Sequence, residues 1–179
     1  MSTIAVEVSR AGLWDAEALS DVAAATFPLA CPPGSSAEDI EAFIDEVLSF
    51  DRFGDYLSDP ARTVLKATSA ERIVGYSMLV DGEPADVAVA DLLSLRPIIE
   101  ISKMYVLPGS HGSGVSTALM DAATALARNG DFAGIWLGVN QHNARAQRFY
   151  EKHGFEKVGT KTFRVGTQIH HDFVMQRAL

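Results

Sequence analysis

Residues 98 to 120 read I-I-E-I-S-K-M-Y-V-L-P-G-S-H-G-S-G-V-S-T-A-L-M. The stretch from Ile98 to Leu107 is a nearly continuous apolar run, as expected for a strand covered on both faces, and Pro108-Gly109 stops it. From Val115 the spacing changes, and Val115, Leu119, Ala122 and Leu126 share one helical stripe that Asn129-Gly130 ends. A buried strand thus runs through a loop of small residues, Ser110 to Gly114, into a helix. Free backbone N–H groups at such a helix start, together with its partial positive charge, suit a pyrophosphate if glycines let it approach. Gly112 and Gly114 fit a plain tight turn equally well. Neither G-x-x-x-x-G-K nor G-x-G-x-x-G occurs, so a P-loop and a dinucleotide fingerprint are excluded.

Outward from this stretch the pattern alternates strands and helices. Downstream come a short buried strand, Gly134 to Val139, a helix from Asn143 to His153 closed by Gly154, and two strands near Phe155–Val165 and Gln168–Gln176. Upstream, Ile4, Val6 and Val8 alternate as a strand, Leu13 to about Ala25 is helical, and Pro28 to Pro33 reads as a turn. Ser35 or Ser36 caps a further helix with Ile40, Phe43, Ile44, Val47 and Leu48 on its apolar face. Ala61–Ala67 and Arg72–Val80 read as a hairpin around Ser69-Ala70-Glu71, and residues 81 to 97 give mixed loop and helix signals. The predicted fold is α/β (α+β): a mixed, mostly antiparallel central sheet of about six or seven strands flanked by helices.

The chain has 179 residues, 47% apolar and 21% charged, which suits a single globular domain over 1–179 and excludes disordered and collagen-like classes. No apolar run is long enough for a membrane span, and the start lacks signal-peptide character, so a cytoplasmic protein with no membrane partner is expected. Cys31 is the only cysteine, which excludes an internal disulfide and cysteine-based zinc motifs. The net charge of −8 argues against nucleic acid as a partner. It is unevenly spread: net −12 over residues 1 to 100 and net +4 over 101 to 179. Either these are solvated helix faces, or the first half meets a cation and the second an anion.

A second segment, W-L-G-V-N-Q-H-N-A-R-A-Q-R-F-Y-E-K-H-G-F over 136 to 155, sharpens the reading. Together with the 98–120 segment it resembles the GNAT superfamily of acetyl-CoA-dependent N-acetyltransferases. The cofactor loop of that superfamily has the form Q/R-x-x-G-x-G/A, and its later helix reads N-x-x-A-x-x-F/Y-Y-x-x-x-G-F. Here Asn143, Ala146, Phe149, Tyr150, Gly154 and Phe155 occur in that order. Gly114 stands in register in the loop, with His111 at the Gln/Arg position and Ser116 at the final Gly/Ala. Within the superfamily, I-E-I-S-K-M-Y-V-L-P looks most like the polyamine and small-amine branch.

The resemblance implies acetyl-CoA as cosubstrate, with no metal, lodged where the strands ending at Val106 and Val139 part. Backbone groups of Met104, Tyr105 and Val106 would meet its pantetheine, and amides of the loop His111, Gly112, Ser113, Gly114, Val115 and Ser116 its pyrophosphate. Asn143 matches the pantetheine-contacting Asn, though an Asn there also serves as a helix cap. Arg148 and Lys152, one turn apart, either reach the phosphates or are solvated. Tyr150 matches the acid of the family, a phenol that stays protonated at neutral pH and can donate to a leaving thiolate.

An acceptor amine must also lose a proton. Glu100 interrupts the apolar strand, and simple alternation sets it on the face of Ser102 and Met104. It is either the base, through water or by holding the ammonium group, or a strand-end carboxylate bonded to a neighbour. His170 and His171 alternate to opposite faces and no H-E-x-x-H occurs, which rejects a metal site; G-x-S-x-G is missing too. Glu38 to Asp59 carries eight carboxylates against Arg52 alone, a solvated face or a lure for a cationic acceptor beside the site. The expected activity is acetyl transfer to a primary amine of a small cationic acceptor in a ternary complex, by a monomer or homodimer. The alternatives are acetylation of a protein lysine or N-terminus, or a silent acyl-CoA-binding module.

Overall fold

The hairpin predicted upstream forms with a two-residue turn. β2 (Arg62–Ser69) and β3 (Arg72–Asp81) pair antiparallel out to Ser69 opposite Arg72, with Ala70 and Glu71 both left-handed at φ 51° and 66°. That is the primed turn whose twist matches its strands. A computed structural model describes residues 5–110 and 114–179 of the chain. The other strands are β1 (Glu7–Arg10), β4 (Ile98–Val106), β5 (Gly134–Asn140), β6 (Glu156–Val165) and β7 (Gln168–Ala178). All seven form one sheet in the order β1-β2-β3-β4-β5-β7-β6, antiparallel throughout except where β4 meets β5. The predicted fold class is therefore the observed one.

Helices cover both faces. On one, α5 (Val115–Asn129) buries Leu119, Met120, Ala123 and Ala127 against Leu79, Ile99, Ile101 and Ile135. On the other, α1 (Ala16–Ala30) and α3 (Phe50–Ser58) bury Leu19, Phe27 and Phe53 against Val64, Tyr76 and Met78, with α2 (Ala37–Val47) beside them. α4 (Val87–Leu92) starts at an Asp86 cap, whose side chain accepts from the Ala88 N–H at 2.9 Å, and packs Val89 with Trp136 and Val174. α6 (Ala144–Lys152) adds Ala146, Phe149 and Tyr150 to the α5 side. Among the described residues no helix is long and apolar enough to cross a membrane.

Three sequence expectations need correction. The helix expected at Leu13 begins as a 3-10 turn, with α1 proper starting at Ala16; the Asp15 carboxylate accepts from the Gly12 N–H at 2.9 Å. Pro28 does not start a turn, because it lies in the last turn of α1, where a missing N–H costs one bond only; the chain turns extended at Cys31, ahead of Pro32. α3 was not foreseen at all. Its Ser49 cap accepts from the Arg52 N–H at 3.3 Å, and Phe53 is fully buried.

Left-handed geometry at two non-glycine residues gives a direct check. Replacing Glu71→Gly should stabilise the protein by about 0.5–1 kcal/mol by relieving that backbone. The thermal midpoint should then rise by about 1–4 °C; an unchanged or lower midpoint in a calorimetric scan contradicts the turn.

Candidate active site

β4 and β5 pair over only three positions, Ile98 with Gly134, Ile99 with Ile135 and Glu100 with Trp136. Beyond them β4 stays on β3 as far as Val106 and β5 stays on β7 as far as Asn140, so the two strands part. A cleft of about 840 Å³ opens in the gap. β4, β5, α6, the start of α5, the end of α1 and the β6–β7 hairpin all line it.

One side of the cleft is built from helix starts. Gly114, left-handed at φ 83°, opens α5, and Gly114, Ser116 and Thr117 line the cleft. The first intrahelical bond comes from the Ala118 N–H to the Gly114 carbonyl at 2.9 Å, which leaves the preceding amides for a ligand. Val115 points inward instead, almost wholly buried beneath Gly75. His111, Gly112 and Ser113 lie outside the described residues. Asn143 caps α6, its side-chain oxygen accepting from the Ala146 N–H at 3.1 Å, and also lines the cleft. The buried Gln147 amide donates to the Asn140 and Gln141 carbonyls at 3.1 and 3.0 Å and pins the β5–α6 loop. Arg148 and Lys152 are exposed and do not line the cleft, whereas Arg145 does.

Tyr150 opens into the cleft from α6, its ring in edge contact with Phe149 and Phe155 at 5.5 and 5.8 Å. Its hydroxyl has no hydrogen-bond partner among the described residues, and burial pushes the phenol up to about 12. It keeps its proton at neutral pH.

The opposite wall corrects the alternation argument. Met78 pairs with Lys103 but Leu79 pairs with Ile101, so Ser102 is an extra residue, a bulge in β4. Glu100 therefore shares its face with Lys103 and Tyr105, opposite Val80, Met78 and Tyr76, while Met104 and Val106 face α5 with Leu79 and Ile101. Met104, Tyr105 and Val106 all line the cleft. Burial raises the Glu100 carboxyl above its usual range against the pull of Lys161, Lys103 and Arg62. Burial also lowers Lys103 to about 8, with Glu100 opposing and Arg62 assisting.

Sequence reasoning missed several lining groups: Lys103, Lys161, His170, Asp172, and Phe27, Phe43 and Phe163. Lys161 Nζ lies 3.5 Å from Asp172 Oδ2, and its stem crosses Gly138, where any side chain would collide with it. Burial raises the Asp172 carboxyl, with Lys161 the main opposing charge. Lys103 interrupts an apolar strand just as Glu100 does, and that was the available signal. Phe43 and Leu48 reach the cleft from the acidic Glu38–Asp59 run, but none of its carboxylates does. Asp39 instead accepts from the Thr167 N–H and hydroxyl at 2.8 and 3.0 Å.

Residues 23–155 match the model of the acetyltransferase (GNAT) family. An uncharacterised N-acetyltransferase of Mycobacterium tuberculosis is 49% identical over 165 residues, 92% of this chain and 98% of that protein. One from Lactobacillus delbrueckii subsp. lactis is 27% identical over 81% of each chain. The PaiA N-acetyltransferase of Thermoplasma acidophilum, solved with coenzyme A, shares the fold at a TM-score of 0.78 and 19% identity, over 98% of this chain and all of that one. The chain belongs to the GNAT family of N-acetyltransferases, enzymes that draw their acetyl group from acetyl-CoA.

Lys103 tells the cost of this wall. Its ammonium ionises near 8 in the fold and near 10.4 when unfolded, so folding is penalised below pH 8 and the penalty fades between the two values. Lys103→Met should therefore stabilise the protein by about 1–3 kcal/mol at pH 7, and the gain should vanish as pH approaches ~10.5. Urea unfolding at several pH values checks this, and a destabilised variant at pH 7 contradicts it.

Proposed function

We propose that the protein moves an acetyl group from acetyl-CoA to the primary amine of a small acceptor that arrives as its ammonium cation, by direct attack in a ternary complex. One observation carries this reading: a carboxylate, Glu100, and a protonated phenol, Tyr150, open into the same cleft with no hydrogen-bond partner among the described residues. The fit to acetyl-CoA is supported by the parted strand edges, the open Gly114 start of α5 and the cleft-lining Arg145. The coenzyme A complex of the Thermoplasma neighbour supports it as well. That all seven strands form one sheet supports reading 1–179 as a single domain.

When bound, acetyl-CoA supplies a thioester whose carbonyl carbon an amine can attack with loss of the thiol. Only about 0.04% of an ordinary amine is neutral at pH 7, so proton removal is worth roughly 4–5 kcal/mol. Glu100 holds the ammonium and accepts its proton, directly or through one water, and its raised pKa makes it the better acceptor. Tyr150 donates its phenolic proton to the departing sulfur, and solvent restores both groups. Gly114, Ser116 and Thr117 hold the phosphates, and Asn143 and the edges of Met104 and Val106 guide the arm.

Tyr150→Phe should lower turnover by about 10- to 1000-fold with near-native acetyl-CoA affinity by calorimetry; an unchanged rate removes Tyr150 as the acid. Initial rates with both substrates varied should give intersecting lines. Parallel lines with a trapped acetyl-enzyme contradict direct transfer, and tight acetyl-CoA binding without thiol release on any amine contradicts the transferase reading.

A further inference from the structure

Two opposite charges stand on the same wall of the cleft because of one β-bulge. Glu100 and Lys103 are three apart, a spacing that sends side chains to opposite faces of a regular strand. The Ser102 bulge returns Lys103 to the face of Glu100, and their partners Val80 and Met78 lie two residues apart on β3. At a rise of about 3.3 Å per residue the two side chains leave the strand roughly 7 Å apart. Both line the cleft, they bias each other's ionisation, and neither has a hydrogen bond or ion pair with any described residue.

The other charges that act on this pair are already matched. Lys161 lies against Asp172, and Arg62 lies 3.1 Å from Asp59 and over the Tyr56 ring. Lys103 sits over the same ring, 5.5 Å from its centre, which partly shields its cation but gives no acceptor. An ammonium and a carboxylate held in a half-buried wall without partners are costly, and a ligand bearing the reverse pair, close together, would satisfy both.

Beyond this pair the wall turns apolar. Phe27 stacks on Phe43 at 4.4 Å, Phe43 meets Phe163 edge-on at 5.4 Å, and all three rings line the cleft. We infer that the acceptor is a free α-amino acid with an apolar side chain, its ammonium on Glu100, its carboxylate on Lys103 and its side chain among Phe27, Phe43 and Phe163. This rests on the transferase reading and narrows its acceptor from a cation to a zwitterion.

The test is thiol release from acetyl-CoA with L-leucine, L-methionine, L-phenylalanine and L-tryptophan, each beside its amide, and with putrescine and spermidine. The amides keep the amine and the side chain but lack the negative charge. At least one free amino acid should exceed its amide, and both polyamines, by tenfold or more in kcat/KM. Lys103→Met should collapse the acid-to-amide ratio toward one, chiefly through KM, and Lys103→Arg should restore part of it. Amides equal to or better than the acids, or a polyamine faster than every amino acid, overturn the inference and leave the transferase reading standing. No thiol release with any acceptor overturns both. The acid-to-amide comparison on the unaltered protein decides the matter even if a variant fails to fold.

Discussion

The seam between β4 and β5 is the constraint on which the rest of the molecule depends. Three paired positions hold the strands together at one end, and above them each strand keeps only its outer neighbour. A continuous sheet would leave no room for a thioester, and an unpaired one would expose two full edges. The bulge at Ser102 falls two residues above the last pair, where β4 must bend away. It also decides chemistry: were the strand regular through Ser102, Lys103 would face α5 and place an ammonium among Leu119, Met120 and Ala123. That burial would cost several kcal/mol.

The wall proposed for the acceptor is held by a second set of bonds far apart in sequence. Asp39 of α2 accepts from Thr167 in the β6–β7 turn, and the Ser36 N–H donates to the Gln168 side chain at 3.1 Å. Charge-assisted bonds of this kind each contribute about 1.5–3 kcal/mol when buried, and Asp39 is buried. They fix α2 over the hairpin and bring Phe43 onto Phe163. The acidic helix that reads from sequence as a solvated face or a lure for cations uses its buried Asp39 carboxylate for tethering.

How far the sequence could be read follows from the same two features. Strand β4, helix α5 and helix α6 were legible because each has clear periodicity and a stop signal, Pro108-Gly109, Asn129-Gly130 and Gly154. Glu100, Tyr150 and Asn143 were picked out and do share one cleft. A bulge leaves no mark in composition, so alternation assigned Glu100 to the wrong face. Lys161 and Asp172 were hidden for a topological reason: β7 lies between β5 and β6, so the last two strands reach the cleft only through the sheet order. Helix α3 was missed because Gly54 and four polar residues dilute its Phe50, Phe53 and Leu57 stripe.

The cleft also contains the groups that a covalent route would need, and their chemistry weighs against one. Cys31 lines the cavity at the end of α1, where burial raises its thiol to about 11 and its sulfur donates to the Phe27 carbonyl at 3.4 Å. A nucleophilic cysteine requires a lowered pKa from a cation or a helix N-terminus, and Cys31 follows a helix C-terminus instead. Tyr105 is a second phenol on the wall, but burial drives it higher than Tyr150, and it stands on the face of Glu100 and Lys103 beside Phe27. A protonated thiol and an inert phenol favour the proposed direct transfer, in which an acceptor amine is the nucleophile and Glu100 its proposed base.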